Sequence, residues 1–311
     1  MISCTDFIPA YSEFFVFLEN RFGPEEVEHC WHTLFKPDGK GGPLITFVEK
    51  EGIRGCFSYW SGTLNEEAAD FTMYLNEKRG FFLLCMHKCP SKGKLIELQS
   101  KIGLAPYRDY CLHCDGYRAA IEKVGLTYTY NFQGVEKAAC SLLITDPKVF
   151  DGRVIIDEDT RIMERRASEN EYFHPSFHHS LSRCIHYMAT EHGEAALKAF
   201  LSDYVEKVLL PLNPTLTENG LPVIARMIRE SYRKEKADDA VTLNLTDTGL
   251  DVTVHYCPGV KYMTDAGKWI SSYYSATTEY VMEALAKKAG LAFCMDSYEE
   301  ATGAATYHFC K

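Results

Sequence analysis

The chain has 311 residues, of which 46% are hydrophobic and 24% charged, and this composition is typical of a globular protein, not a disordered or fibrous one. Its formal net charge of -10 repels phosphate backbones and anionic lipid surfaces, so a nucleic-acid partner is disfavoured. No apolar run reaches the ~20 residues that a membrane-spanning helix needs, and the first residues lack the basic and apolar regions of a secretion signal. We therefore expect a cytoplasmic protein with no membrane partner.

Twelve cysteines are many for a cytoplasmic protein but too few for a disulfide scaffold, and a reducing compartment would keep them as thiols. Most are expected to be small buried hydrophobes. The chain carries none of the short motifs of a P-loop, a dinucleotide-binding fold, an HExxH metalloprotease or a GxSxG hydrolase. Evidence for function must therefore come from other groups of residues.

In chain order, the residue pattern of the first half predicts helices, a hairpin, a helix and a second hairpin. Apolar residues at helical spacing follow Pro9, and Gly23-Pro24-Glu25 is typical of one helix ending and another beginning. Alternating runs predict strands over residues 71–75 and 81–87 and over 126–132 and 139–144, with a helix over 117–124 between the two hairpins.

Residues 147–172 are charged and poor in aromatic residues, and we interpret them as a connector. The second half then repeats the order of the first. Helices are predicted over 181–189, 196–205, 222–236 and 281–289, and strands over 241–246, 250–256, 291–296 and 304–309. This order predicts an α+β fold in which each half forms a four-stranded antiparallel sheet with helices on one side.

The two halves also share short motifs in the same order, which indicates an internal duplication. A strand ending in His87-Lys88-Cys89-Pro90 corresponds to one ending in His255-Tyr256-Cys257-Pro258, about 168 residues later. Gly125-Leu126 and Gly290-Leu291 follow the middle helices at nearly the same offset. We predict a first α+β copy over residues 1–146, the connector over 147–172 and a second α+β copy over 173–311.

Ionisable groups present in only one copy are the better functional candidates, because what both copies keep serves their common fold. The first copy carries Cys111, His113, Cys114 and Asp115 at the predicted start of its middle helix, where the second copy has neither thiol nor imidazole. A helix N-terminus stabilises a thiolate, and the histidine and aspartate would supply a base and an acid. We interpret the four as catalytic, although such residues also serve as caps and core fillers.

The second copy has its own surplus of imidazoles at His174, His178 and His179, and His174 and His178, four residues apart, share a face if one helix contains both. A polar cap or a solvated surface explains them equally well. Alternation places His255 and Cys257 on one face of their strand, and we first interpret that motif as a strand end with a buried thiol. These strand-end groups could instead line a cleft, so His174, His255 and Cys257 are candidate substrate-binding residues.

Residues 173–178 (Phe-His-Pro-Ser-Phe-His), 193–196 (Gly-Glu-Ala-Ala), 252–258 (Val-Thr-Val-His-Tyr-Cys-Pro) and 289–291 (Ala-Gly-Leu) resemble proteins grouped with L-2-amino-thiazoline-4-carboxylic acid hydrolase. The resemblance covers most of the second half and, more faintly, the first. It implies a hydrolase that opens a small ring containing sulfur and nitrogen. The helix, strand and cysteine-rich last hairpin are also similar in outline to vinyl-reductase-type domains that hold tetrapyrroles or other small molecules.

We accordingly predict a hydrolase that cleaves a C–N bond in a small cyclic amidine-like substrate and needs no cofactor. Water or Cys114 would attack the ring carbon, and His113 or His178 would carry the proton. Asp115 would orient an imidazole. The substrate carboxylate needs a cation, which Arg118 or Arg183 could supply.

Two other classes of function stay open. A non-catalytic protein that encloses a planar small molecule, such as a tetrapyrrole, fits the 13% aromatic residues and the 19 tyrosines. A metal site could draw nitrogen and sulfur ligands from Cys111, His113 and Cys114 and from the second copy's histidines. The short spacing of Cys111, His113 and Cys114 makes the metal site the least favoured alternative.

Overall fold

The computed structural model describes residues 2–35 and 43–311. The chain divides into two compact units. The central unit comprises Leu18–Phe173, and the terminal unit comprises Met1–Phe17 together with His174–Lys311. In the described part of the chain, no helix combines the length and apolar character needed to cross a membrane.

The central unit is built from short helices and one antiparallel sheet. Helix α1 (Phe7–Phe22) begins in the terminal unit and ends here, and α2 (Pro24–Leu34), α3 (Leu44–Glu51), α4 (Arg54–Glu66), α5 (Pro90–Ile102) and α6 (Arg118–Lys123) follow. The described strands are β1 (Asp70–Asn76), β2 (Phe81–Lys88), β3 (Thr127–Asn131), β4 (Cys140–Thr145) and β5 (Arg161–Arg165). They pair in the order β3-β4-β2-β1-β5.

The core of this unit lies between the sheet and helices α3, α4 and α6. Phe82 and Leu84 alternate along β2 and point into it, and Trp60 of α4 stacks on Phe82 with ring centroids 5.9 Å apart. Phe81, on the opposite face of the strand, is also fully buried. Strand β2 has a neighbour on each side and is covered on both faces, which explains its uninterrupted apolar run.

The terminal unit has the same kind of construction. Its later helices are α7 (Phe177–His192), α8 (Glu194–Tyr204), α9 (Leu210–Leu212), α10 (Gly220–Lys234), α11 (Pro258–Asp265) and α12 (Ala276–Lys288), and a π-helical turn joins α8 to α9. Strands β6 (Val241–Leu245), β7 (Gly249–Val254), β8 (Ala292–Tyr298) and β9 (Ala305–Cys310) form an antiparallel sheet in the order β6-β7-β9-β8.

The first part of α1 belongs to the terminal unit because its aromatic face packs there. Phe7 stacks on Phe177 at the start of α7, with ring centroids 4.7 Å apart. Phe14 meets Phe200 of α8 edge to face at 5.3 Å. This packing brings the preceding residues, including Cys4, next to α7 and the end of α10.

Both sheets share one strand order. The terminal sheet has the order β6-β7-β9-β8, and the central sheet has the equivalent order β1-β2-β4-β3, with β5 added beside β1. The strand-end histidines also bond alike: His87 Nε2 is 2.8 Å from Thr72 Oγ1, and His255 Nε2 is 2.9 Å from Thr242 Oγ1. In each unit the cysteine two residues later is the N-cap of the next helix, α5 or α11. The His-x-Cys-Pro motif therefore ends a strand and begins a helix.

The prediction of an α+β fold with antiparallel sheets is confirmed. Four strands per sheet is correct for the terminal unit and wrong for the central unit, because residues 161–165 of the expected connector form β5 and pair with β1. This strand is rich in charge, and Met163 is the residue through which it joins the core cluster. Helices α3, α4, α5, α9 and α11 lie outside the predicted elements.

Candidate active site

A pocket in the central unit collects four of the twelve cysteines. Cys89, Cys111, Cys114 and Cys140 line it together with His113. The space between its walls, counted out into solvent at the mouth, is about 350 Å³. We call it the thiol pocket. Its other lining residues are Ser91, Lys92, Tyr110, Tyr130, Val135, Ala138 and Ala139.

Three separate segments supply the thiols. Cys89 caps α5 and accepts a hydrogen bond from the Lys92 backbone N–H, and Cys140 begins β4. Cys111 and Cys114 lie on the 3-10 helix Tyr110–Tyr117, where the sequence predicted the start of an α-helix. In a 3-10 helix, side chains three residues apart project in the same direction. Both thiols therefore face the pocket.

Cys114 and His113 form a thiol–imidazole pair. The Sγ atom of Cys114 lies 3.6 Å from Nε2 of His113. The other ring nitrogen, Nδ1, donates a hydrogen bond to the Tyr110 carbonyl oxygen, and this donor assignment follows because a carbonyl oxygen only accepts. The lone pair of Nε2 therefore faces the thiol, as a general base requires.

Burial keeps both members of this pair uncharged at neutral pH. It raises the pKa of Cys114 to about 12 and lowers the pKa of His113 to about 4. A hydrogen bond with the Tyr130 side chain lowers the pKa of the Cys114 thiol, but by less than burial raises it. The expectation that a helix N-terminus stabilises a thiolate is therefore wrong, because desolvation outweighs it.

The other pocket thiols are also protonated. Burial raises the pKa of Cys111 to about 12 and that of Cys140 to about 11, and it holds the pKa of Cys89 well above its usual value. The charge of Lys92 lowers the pKa of Cys111 but does not offset burial. The Lys92 side chain is only 7% exposed although it carries an ammonium group. The pocket thus combines neutral sulfur groups with one adjoining cation, Lys92.

Asp115 and Arg118 bind each other. A guanidinium nitrogen of Arg118 lies 2.7 Å from Oδ1 of Asp115, and its Nε atom lies 3.1 Å from Oδ2. The same guanidinium donates to the Tyr128 carbonyl oxygen at 2.8 Å and to Glu122 at 3.2 Å. Neither Asp115 nor Arg118 lines the thiol pocket. The partner of the His113 imidazole is the Tyr110 carbonyl, not the Asp115 carboxylate that the sequence suggested.

Phe35 supports the pair from outside the pocket lining. Its ring centroid is 6.3 Å from that of His113 and 5.5 Å from that of Tyr117. Gly116 leaves room for this ring, because a Cβ atom there would lie 2.4 Å from one of its carbons. The glycine inside the 3-10 helix is therefore required for the packing behind His113.

In the terminal unit, His178 belongs to a buried hydrogen-bond network. Its Nε2 donates to Oε2 of Glu235 at 3.1 Å, and its Nδ1 accepts from the Tyr274 hydroxyl at 2.9 Å. The Cys4 backbone N–H donates to Oε1 of Glu235 at 2.5 Å. Gly259 is essential beside the network, because a Cβ atom there would lie 2.6 Å from the ring nitrogen of His178. Sequence reasoning did not identify Glu235 or Cys4, which are 231 residues apart.

The remaining candidates also lie in the terminal unit. His174 is buried and precedes α7, so it does not share a helical face with His178. Arg183 lies on α7, where its charge lowers the pKa of His179 after the larger effect of burial. His255 pairs with Thr242, and Cys257 is buried with a raised pKa, mainly through desolvation. The structure does not group these four side chains in the thiol pocket.

Among the described residues, two sets of three potential metal ligands have all their ligand atoms within 4.8 Å of one another. One is Cys4, His178 and Glu235, and the other is Cys294, Asp296 and His308. Cys111, His113 and Cys114 do not form such a set, so the metal site considered for them is not preformed.

Comparison of the chain with family models, curated proteins and solved structures found no match.

Proposed function

We propose that the thiol pocket is the active site of a hydrolase that cleaves a C–N bond in a small cyclic amidine-like substrate of the aminothiazoline carboxylate type. The observation that carries the proposal is the Cys114–His113 pair, in which a thiol lies 3.6 Å from an imidazole whose other nitrogen is held by a backbone carbonyl. A nucleophile, a base and a group that orients the base are the parts of cysteine-based covalent catalysis.

In the proposed reaction, Nε2 of His113 accepts the thiol proton while Sγ of Cys114 bonds to the ring carbon between the two heteroatoms. The imidazolium gives this proton to the ring nitrogen, and the C–N bond breaks. The carbon stays bonded to Sγ in a covalent intermediate. Water, deprotonated by His113, then adds to that carbon, the C–Sγ bond breaks, and the thiolate recovers the proton. One water is consumed and the ring is open.

The substrate itself supplies the charge that activates the thiol. With a thiol pKa of about 12 and an imidazole pKa of about 4, the ion pair is strongly disfavoured in the free protein. A cationic amidinium ring beside Cys114 favours the thiolate. We assign the substrate carboxylate to Lys92, which lines the pocket, because the donors of Arg118 are used within the fold.

Turnover of a panel of cyclic amidines, including aminothiazoline carboxylate, tests this function. Cys114→Ser is expected to abolish turnover, and His113→Asn to lower kcat by ~10²- to 10⁴-fold. Lys92→Met should raise KM for carboxylate-bearing substrates far more than for their neutral analogues. The matched control is Cys85→Ser, which changes a half-buried thiol on β2 that does not line the pocket. Absence of turnover, or full activity of Cys114→Ser, contradicts the proposal.

The pH profile gives a second test. Because burial lowers the pKa of His113 to about 4, the base stays deprotonated well below the ordinary histidine range. After correction for ionisation of the substrate, we expect kcat/KM to fall on the acid side near pH 4 and not near pH 6.5. An acid limb near 6.5 would show that the imidazole is not the buried base described.

A non-catalytic binding protein is the second candidate, and the neutrality of the pocket's thiols and imidazole favours it. Protonated thiols, a neutral imidazole and the rings of Tyr110 and Tyr130 suit an uncharged planar guest. The space of about 350 Å³ includes solvent at the mouth, so the enclosed part is smaller and favours a small guest over a tetrapyrrole. Absorbance and native mass spectrometry of the protein as isolated separate the two functions. A retained organic ligand without turnover of any amidine supports binding.

We also infer that the two α+β units derive from an internal duplication. The common strand order and the paired contacts of His87 with Thr72 and of His255 with Thr242 support this inference. Gly23 and Gly193 add to it, because each separates the first two helices of its half with a positive φ, of 99° and 85°. Superposition of β1–β4 on β6, β7, β8 and β9 with the motif cysteines aligned tests it.

We further propose a cytoplasmic location. None of the twelve cysteines, all of which lie in the described part of the chain, forms a disulfide, and a reducing compartment keeps thiols in that state. Fractionation of cells that express the native chain, with thiol labelling before lysis, tests this placement.

A further inference from the structure

The outer face of the β8–β9 hairpin carries a set of possible metal ligands that has no part in the proposed reaction. Cys294 and Asp296 project from β8, and His308 projects from β9. One ligand atom from each of the three residues lies within 4.8 Å of the other two. Nδ1 of His308 is 3.0 Å from Oδ2 of Asp296.

Strand pairing explains why these side chains meet. Cys294 lies directly opposite His308 in the antiparallel ladder, where Cβ atoms are ~4.5–5.5 Å apart. Asp296 is two residues after Cys294 and lies on the same exposed face, and the ladder skips it at a β-bulge. Cys310 is two residues after His308 and therefore lies on that face as well. The hairpin thus presents two thiols, an imidazole and a carboxylate together.

We propose that Cys294, Asp296 and His308 form a zinc-binding site, with Cys310 as the fourth ligand. Thiolate, imidazole and carboxylate are the side-chain groups that bind Zn²⁺ in proteins. In a tetrahedral site with bonds of ~2.0–2.2 Å to nitrogen and oxygen, these two atoms are about 3.4 Å apart. The observed 3.0 Å between Nδ1 and Oδ2 is close to that value, so small side-chain rotations suffice.

The charges of the set also favour a cation. A divalent ion attracts the Cys294 thiolate and the Asp296 carboxylate together, and it offsets the repulsion between these two negative groups. The side chains of His308 and Asp296 are 40% and 44% exposed, so an ion can reach them from solvent. The competing interpretation is a plain ion pair between these two residues, which needs no thiol.

The test is Zn²⁺ binding by the full chain, expressed without a histidine tag, reduced and stripped of metal. Competition with a chromophoric chelator gives the number and affinity of bound ions, and Co²⁺ in place of Zn²⁺ reports a thiolate ligand by its charge-transfer absorbance. Cys294→Ser and His308→Ala are compared with His29→Ala. This control removes an exposed imidazole 3.8 Å from the Glu26 carboxylate, outside the three-ligand sets of the described residues.

We expect Cys294→Ser and His308→Ala each to bind one Zn²⁺ fewer than the unmodified chain, or to bind that ion more than ~100-fold more weakly. Removing a residue that only hydrogen-bonds a metal ligand costs up to ~100-fold in metal affinity, so a larger loss indicates a lost ligand. Cys294→Ser should also lose one Co²⁺ charge-transfer contribution, and His29→Ala should keep all ions. Zn²⁺ held by other thiols is common to every variant and cancels in this comparison. An unmodified chain that binds no Zn²⁺, or variants with unchanged stoichiometry and affinity, overturns the proposal.

Discussion

Replacing His113 by asparagine isolates the cost of keeping a buried imidazole neutral. The asparagine amide can donate to the Tyr110 carbonyl oxygen as Nδ1 of the histidine does, but it does not titrate. Burial lowers the pKa of His113 from 6.5 to about 4. At about 1.4 kcal/mol per pKa unit, this difference corresponds to about 3 kcal/mol of unfolding free energy.

The sign follows from the protons bound in each state. Above pH 6.5 the imidazole is neutral in both the folded and the unfolded chain, so its titration contributes nothing. As the pH falls from 6.5 to about 4, the unfolded chain binds a proton that the folded chain does not, and unfolding is favoured. Relative to His113→Asn, the unmodified protein should therefore lose about 3 kcal/mol of stability between pH 7 and pH 4.

Urea unfolding at pH 4, 5, 6 and 7, followed by hydrogen-exchange mass spectrometry, measures this difference on peptides of the central unit alone. His179→Asn is the matched comparison, because the pKa of His179 is also lowered to about 4, by burial and by the charges of Arg183 and Lys268. Salt screens charges but not burial, so added salt should reduce the His179 effect more than the His113 effect. A stability difference for His113→Asn that is constant across this pH range refutes the reasoning.

Three further predictions follow from packing and exposure. Gly116→Ala should lower the unfolding free energy by ~1–3 kcal/mol in a urea titration, because the added Cβ would lie 2.4 Å from a ring carbon of Phe35. Gly62→Ala on α4 should be neutral or stabilising in the same titration, because no atom lies within 4 Å of its added Cβ. Thr72→Val should lower the unfolding free energy by ~0.5–1.5 kcal/mol by removing the hydrogen bond to His87. Thr242→Val should lower it by less, because Thr72 is buried and Thr242 is exposed, and equal or reversed losses contradict this. Cys294, the exposed member of the twelve free cysteines, should react first with iodoacetamide in peptide mass spectrometry, and added Zn²⁺ should slow it; earlier labelling of a pocket thiol contradicts this.

The elements that local patterns define were predictable from the sequence. Alternation of apolar and polar residues identified the strands of the two hairpins in each half to within a residue or two, because in a half-buried strand every second side chain faces the core. Strand β5 was missed since four of its five residues, from Arg161 to Arg165, are charged or exposed, and its pairing with β1 spans about 90 residues of sequence. The 3-10 geometry of Tyr110–Tyr117 was missed because helical spacing does not distinguish it over eight residues.

The candidate site was predictable only in part. Comparing the two halves singled out Cys111, His113 and Cys114, which the structure places in one pocket. The same comparison could have found Lys92, because the second half has Val260 at the corresponding position. Cys140 also stands where the second half has Ala305, but only strand pairing shows that it reaches the pocket.

Under the proposed duplication, the region beneath the His-x-Cys-Pro motif has been used differently in the two units. In the terminal unit Gly259 follows the motif, and its missing side chain lets α11 pack against the His178–Tyr274 hydrogen bond. In the central unit the corresponding residue is Ser91, and this side chain and the adjacent lysine line a pocket. Burial raises the pKa of Cys114 and of Cys257, and a carboxylate, Glu67 or Glu235, raises it further. At the 168-residue offset of the motif, Cys89 corresponds to Cys257 and Glu67 to Glu235. One unit has filled this region with a satisfied hydrogen-bond network and the other has left it open, which is why we assign the chemistry to the central unit.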